Sequence, residues 1–171
     1  MRNTTWIIAA VALMGGLLGS VRSQADEPKT KSTELKVLDR FVGTWQGTAV
    51  LTDANAKETT TEDDATMRWV LGNSYIEDKI GDTLYGLWTY DKDEELYRCW
   101  YFMPETHKPA VFTMKWNEED TSFSGKAELG NSVMMTTSHN FIGDDKFEWS
   151  AVVKDASGKV LARHEGTKTK K

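Results

Sequence analysis

From Gly43 to the C-terminus the chain is a succession of short segments in which apolar and polar residues alternate, and this period of two is what most limits the fold. The pattern predicts strands near Thr44 to Leu51, Ala65 to Leu71, Tyr75 to Ile80, Leu84 to Tyr90, Leu96 to Met103 and Ala110 to Trp116. Four more follow near Ser122 to Leu129, Ser132 to Asn140, Lys146 to Lys154 and Lys159 to Lys168. Turn residues separate them, among them Gly72-Asn73, Gly81-Asp82, Gly130-Asn131 and Gly143-Asp144-Asp145. About ten short strands joined by tight turns predict an all-β, antiparallel up-and-down barrel. Helical spacing occurs only ahead of them, where Ser32 or Thr33 caps a short helix with Leu35, Leu38, Val42 and Phe41 on one face, placed to lid a barrel end.

Alternation also assigns the inward face. Phe123, Ala127 and Leu129 point inward on one strand, and Phe147, Trp149, Ala151 and Val153 on another. By the same parity Phe112, Met114 and Trp116 face in, as do Met67, Trp69 and Leu71. On the last strand Val160, Ala162, His164, Gly166 and Lys168 form the more apolar set and are placed inside, with Lys168 and Lys170 brought to the Trp45 end. The hairpin from Leu84 to Met103 is apolar on both parities, so it is either covered outside or lines a wide interior. A barrel of about ten strands leaves room within. The candidate ligand-binding residues are therefore Trp69, Trp88, Phe112, Met114, Trp116, Trp149 and His164, and the expected ligand is a small apolar or aromatic molecule.

The first 25 residues read as a cleaved signal peptide: Arg2, an apolar run from Trp6, and Ser23-Gln24-Ala25 before Asp26. The uncharged run from Trp6 to Val21 falls short of the ~20 residues a spanning helix needs, so the expected mature chain is exported and not inserted in a membrane. Residues 26–34 then form a flexible leader and 35–171 the barrel domain. Losing Arg2 and Arg22 takes the 21 basic residues to 19 against 26 acidic ones, a net charge of −7 that repels nucleic acid and anionic lipid. Cys99 is the sole cysteine, in an apolar run, and reads as a buried inert thiol.

No reaction motif is present: the chain has no phosphate-cradling glycine loop, no nucleophile elbow and no zinc spacing among His107, His139 and His164, so neither catalytic residues nor a metal site are assigned. The carboxylate runs Glu62-Asp63-Asp64 and Glu118 to Asp120 read as solvated turns. Asp78 shares a face with Ile76 and Ile80, which would put it in the barrel and open a proton-transfer reading of isomerase or cyclase type; a solvated strand end is the ordinary expectation.

The segment Phe41-Val42-Gly43-Thr44-Trp45-Gln46-Gly47, then Leu71-Gly72, then Gly86 to Tyr90-Asp91 with Trp100 after the turn, resembles the bacterial lipocalin-like family called domain of unknown function 1579. That family is distantly similar to nitrobindin and lipocalin-type barrels. The resemblance implies a plug at one barrel end by Trp45 with Gly43 before it, and a cation from the last strand on the indole, for which Lys168 and Lys170 are the candidates. The chain has Asn73 where the family has a second glycine, and Lys168 or Lys170 where it has an arginine. Similarity to nitrobindin also raises haem or nitrogen-oxide binding through His164, although the tyrosine-proline element of nitrobindins is missing, and no cofactor is assigned. An interaction module without a ligand is the remaining alternative.

Overall fold

A computed structural model describes residues 30–104 and 107–171. The signal-peptide reading of residues 1–25, and residues 26–29 of the leader, lie outside them. The helix α1 spans Thr33–Val37, two residues inside the stretch read as leader, and starts where Ser32 Oγ accepts from Leu35 N–H at 3.3 Å. A 3-10 turn, Leu38–Phe41, continues it and buries Leu38 and Phe41.

The strands follow in order: β1 Gly43–Asp53, β2 Glu58–Glu62, β3 Ala65–Val70, β4 Tyr75–Ile80, β5 Leu84–Asp91 and β6 Leu96–Phe102. After them come β7 Ala110–Asn117, β8 Ser122–Glu128, β9 Met134–Phe141, β10 Lys146–Lys154 and β11 Val160–Lys170. Each pairs antiparallel with its neighbour in sequence from β3 to β11, and β11 returns to β1, with Trp45 opposite Lys170 and Asp53 opposite Ala162. Both β2 and β3 pair with β1 in one register, Thr48 facing Glu62 and Trp45 facing Ala65, so they are a single strand interrupted at Asp63-Asp64. The result is a closed ten-stranded barrel of the lipocalin-like kind. Closure leaves no full-length edge to pair with another chain. The half Glu58–Glu62 is exposed throughout, and its all-polar sequence gave no alternation to read.

Phe123, Ala127, Phe147, Ala151, Phe112, Met114 and Met67 are buried, as parity requires. Leu71 departs from it: a φ of 50° turns the chain out of β3, and the side chain is 69% exposed. The doubly apolar hairpin resolves into two faces. Gly86, Trp88, Tyr97 and Cys99 point inward, while Tyr85 packs on Phe102 and Trp100 on Tyr75 at the outer surface, with centroids 6.1 and 6.3 Å apart.

The chain's entry stoppers one end. Phe41 sits at the centre of a cluster of rings, 4.9 Å from Phe141, 5.1 Å from Trp88 and 5.5 Å from Phe123. Trp45 is fully buried against Phe147 and donates its indole N–H to the Phe41 carbonyl at 2.7 Å. Of the two candidate cations, Lys170 is the one over its ring, with Nζ 5.0 Å from the centroid, and Lys168 is not. Lys170 can pass there because Gly43, at φ 145°, has no side chain: a Cβ would lie 2.7 Å from Lys170 Cε. Lys168 is buried elsewhere, inside the barrel.

Candidate functional site

Above the Phe41 stopper the barrel encloses a cavity of about 370 Å³, which reaches the opposite rim at the ends of β4, β6, β8 and β10. Its walls are mostly apolar, and four of its side chains are methionines: Met67, Met103, Met114 and Met135. Thioethers adapt to irregular ligand outlines at little cost. Of the residues singled out in the sequence, Trp88, Phe112, Met114, Trp149 and His164 lie on this wall. Trp69 and Trp116 do not. Both have the inward parity but stand at the stoppered end, where Trp69 Nε1–H donates to Asp39 at 2.6 Å beneath Lys31, and Trp116 stacks under Arg40. Parity gives the face of a strand and not the height along it.

The polar groups of the cavity come from strands all around the barrel. Asp78, fully buried on β4, accepts at Oδ2 from Tyr101 O–H of β6 at 2.7 Å. Between them on β5 is Gly86, where a Cβ would stand 2.7 Å from the Tyr101 ring and 3.2 Å from Asp78 Cβ. The missing side chain is what lets a tyrosine two strands away reach the carboxyl. Burial drives the Asp78 pKa up to about 6; Tyr101 and the charge of Lys168 pull it back, and Asp63 adds to the rise. The Trp88 N–H also moderates it, yet Nε1 makes no full hydrogen bond. A buried carboxyl with a pKa near neutrality, hydrogen-bonded to a hydroxyl on a cavity wall, has the chemistry for proton transfer. Burial and the Asp78 charge push the Tyr101 hydroxyl well above its usual range, so it stays a donor.

The same device recurs across the barrel. Trp149 lies over Gly166, where a Cβ would come within 2.5 Å of Nε1, and donates to Asp63 Oδ2 at 2.9 Å. Asp63 is 7% exposed and pairs through Oδ1 with Lys168 Nζ at 2.8 Å, while Lys168 also donates to the Asp63 carbonyl. The reading of Glu62-Asp63-Asp64 as a solvated run is thus wrong for Asp63, and a solvated strand end is wrong for Asp78. His139, on β9, completes the set; its ring meets Phe41 and Trp88 edge-on at 5.6 Å, and burial, then Lys168, push its pKa down to about 4. Burial also lowers His164. Both imidazoles are therefore neutral near pH 7.

Asp63, Tyr101 and His139 are the site residues that the sequence reading missed. His139 shares its parity on β9 with the buried Phe141, a signal that was there to use. Three buried polar atoms of residues lining the cavity have no partner: Asp78 Oδ1, Trp88 Nε1 and His139 Nδ1. Native interiors rarely leave such atoms unpaired. Among the described residues no three His, Cys, Asp or Glu converge as a metal ion would require. Cys99 lines the wall as a fully buried thiol whose pKa burial raises well above its usual value.

No family model and no curated protein matches the chain. Solved structures do. The S-type phycobiliprotein lyase CPES of Guillardia theta superposes with a TM-score of 0.56 at 13% identity, over 82% of this chain and 94% of that one. The protein Rv2717c of M. tuberculosis gives 0.55 at 10% identity, over 83% and 99%. A protein of unknown function from the DUF3598 family of Nostoc punctiforme gives 0.54 at 9% identity, over 78% of this chain and 49% of that one. At these identities the likeness establishes a shared barrel fold.

Proposed function

We propose that this chain is an exported binding protein that holds one small, largely apolar or aromatic molecule in its barrel, and that it is a member of the family called domain of unknown function 1579. The observation that carries the binding reading is the cavity: about 370 Å³, apolar-walled, within the size range of ligand pockets, with three buried polar atoms left unpaired. Packing for stability alone would fill the space and satisfy those atoms. Titration with an environment-sensitive neutral hydrophobe should quench Trp88 and Trp149 emission and saturate at one site per chain. Linear, unsaturable changes across fatty acids, porphyrins and aromatic probes would overturn the reading and leave an interaction module.

Haem is the second reading, favoured by one observation: His164 stands on the cavity wall as a neutral imidazole, the state that ligates iron. The fit is partial, because about 370 Å³ lies near the lower end of the pocket range and is tight for a porphyrin. Ferric haem added to the wild type and to His164→Ala should give identical weak spectra. A stoichiometric Soret shift lost in the variant would replace the apolar-ligand reading with this one.

A further inference from the structure

The interior charges do not balance. Among the described residues, the charged side chains facing the cavity are Asp63 at the interruption between β2 and β3, Asp78 on β4 and Lys168 on β11. Lys168 and Asp63 neutralise each other through a direct ion pair, with Trp149 holding the second Asp63 oxygen. Asp78 has no cation of its own. Glu77, the other buried carboxylate, faces the opposite way and is held by Arg68 at 2.6 Å and Tyr85 at 3.1 Å on the outer surface. The remaining titratable groups around Asp78 add no positive charge: Tyr101 and Cys99 on β6 stay protonated and neutral, and His139 on β9 and His164 on β11 are neutral imidazoles.

Asp78 is nonetheless arranged as an ion-binding group. Tyr101 fixes Oδ2, and the gap at Gly86 that admits the Tyr101 ring would be unnecessary if the carboxyl were merely tolerated. Asp78 is one of the residues lining the cavity, and its Oδ1 is fully buried without a partner. Two aromatic side chains stand beside Asp78, Trp88 and Tyr101, which meet edge-to-face at 6.3 Å. A buried carboxylate beside electron-rich rings is the environment that stabilises an organic cation.

We propose that the ligand is an amine: an apolar body whose protonated nitrogen donates to Asp78 Oδ1, with the body in the methionine-lined cavity. The proposal rests on the pocket reading and goes further by fixing the sign of the ligand's charge. It also gives a role to another of the three unpaired atoms. The Trp88 N–H, close enough to influence both Asp78 and Tyr101, meets an acceptor oxygen when the amine carries one nearby.

Three probes of one shape decide it: 1-naphthylmethylamine, 1-naphthylmethanol and 1-naphthoate, titrated by calorimetry into the described domain with its N-terminal leader at pH 8. The amine should bind about tenfold or more tighter than the alcohol, as a charge-assisted hydrogen bond requires, and the carboxylate should bind weakest. Lowering the pH below about 6 should weaken the amine, which stays protonated, while leaving the alcohol unchanged. Asp78→Asn should bind amine and alcohol alike, with the alcohol affinity of the wild type. An alcohol or a carboxylate that equals or exceeds the amine in the wild type overturns the amine assignment and leaves the pocket standing. Binding of none of the three overturns both. The wild-type comparison decides even if Asp78→Asn does not fold.

Discussion

Trp149 reaches Asp63 across β11 and β1, its indole N–H 2.9 Å from Oδ2, because Gly166 puts nothing in the path. The contact ties β10 to the interruption in the β2–β3 strand and leaves the other Asp63 oxygen to Lys168. Lys168→Met should cost about 3 to 5 kcal/mol by stranding a buried carboxylate, whereas Trp149→Phe, which removes one hydrogen bond, should cost about 1 to 3 kcal/mol. Urea unfolding measures both, and equal small losses would mean that Asp63 is hydrated in solution.

Trp45 and Lys170 make a graded pair of predictions. Trp45→Ala removes a fully buried indole and should cost about 3 to 5 kcal/mol, while Lys170→Ala loses a cation–π contact worth about 0.5 to 1 kcal/mol. Thermal melts followed by circular dichroism should rank them in that order, and an unshifted melt for Trp45→Ala would show that this end of the barrel is not sealed by the indole.

Gly86→Ala should behave as an overpacking mutation, destabilising by about 1 to 3 kcal/mol, since its methyl would press on the Tyr101 ring at 2.7 Å. Displacing Tyr101 also removes the hydrogen bond that lowers the Asp78 pKa, so in Gly86→Ala and in Tyr101→Phe that carboxyl should titrate above about 6. Carboxyl carbon shifts followed by NMR across pH report it directly.

Stability against pH should be flatter than either interior group would make it alone. Asp78 has its folded pKa raised from 3.8 to about 6, so the stability it contributes is full below the lower value and lost as pH rises through the higher. His139 runs the other way: its pKa falls from 6.5 to about 4, so its contribution is full above the higher value and lost as pH falls through the lower. Each is on the order of 3 kcal/mol, and over about pH 4 to 6.5 they oppose one another. Asp78→Asn should expose a stability that climbs with pH in that window, to which His164 adds, and His139→Gln one that declines. Denaturant midpoints at half-unit pH steps would show it; parallel profiles in all three proteins would contradict the pairing.

Export predicts that the mature protein recovered from its own source begins at Asp26. N-terminal sequencing tests this, and a chain retaining Met1 in the membrane fraction would refute it.

The barrel was legible because nearly every strand carries its own alternation and its own turn, signals that need no knowledge of distant residues. Phe123 with Ala127 and Phe147 with Ala151 are inward for that reason. What escaped was whatever depends on a partner far away in sequence. Asp63 looks like part of a solvated run until Lys168, from the last strand, is brought to it, and Asp78 looks misplaced until Tyr101 arrives over Gly86. Parity gives Trp69 and Trp116 the correct side of their strands, but only the position of the Phe41 turn shows that they stand at the stoppered end, outside the cavity. The strand Glu58–Glu62 offered β-favouring threonines and no apolar residue, so alternation was silent there.

With Phe41 as a stopper, the interior is a blind well, and a guest must arrive and leave through the rim that bore Leu129 and Met135. Residence time and affinity then belong to different residues. Bulk added at the rim should slow entry and exit by the same factor, while a change at the floor should alter how tightly the guest is held without changing how fast it comes in.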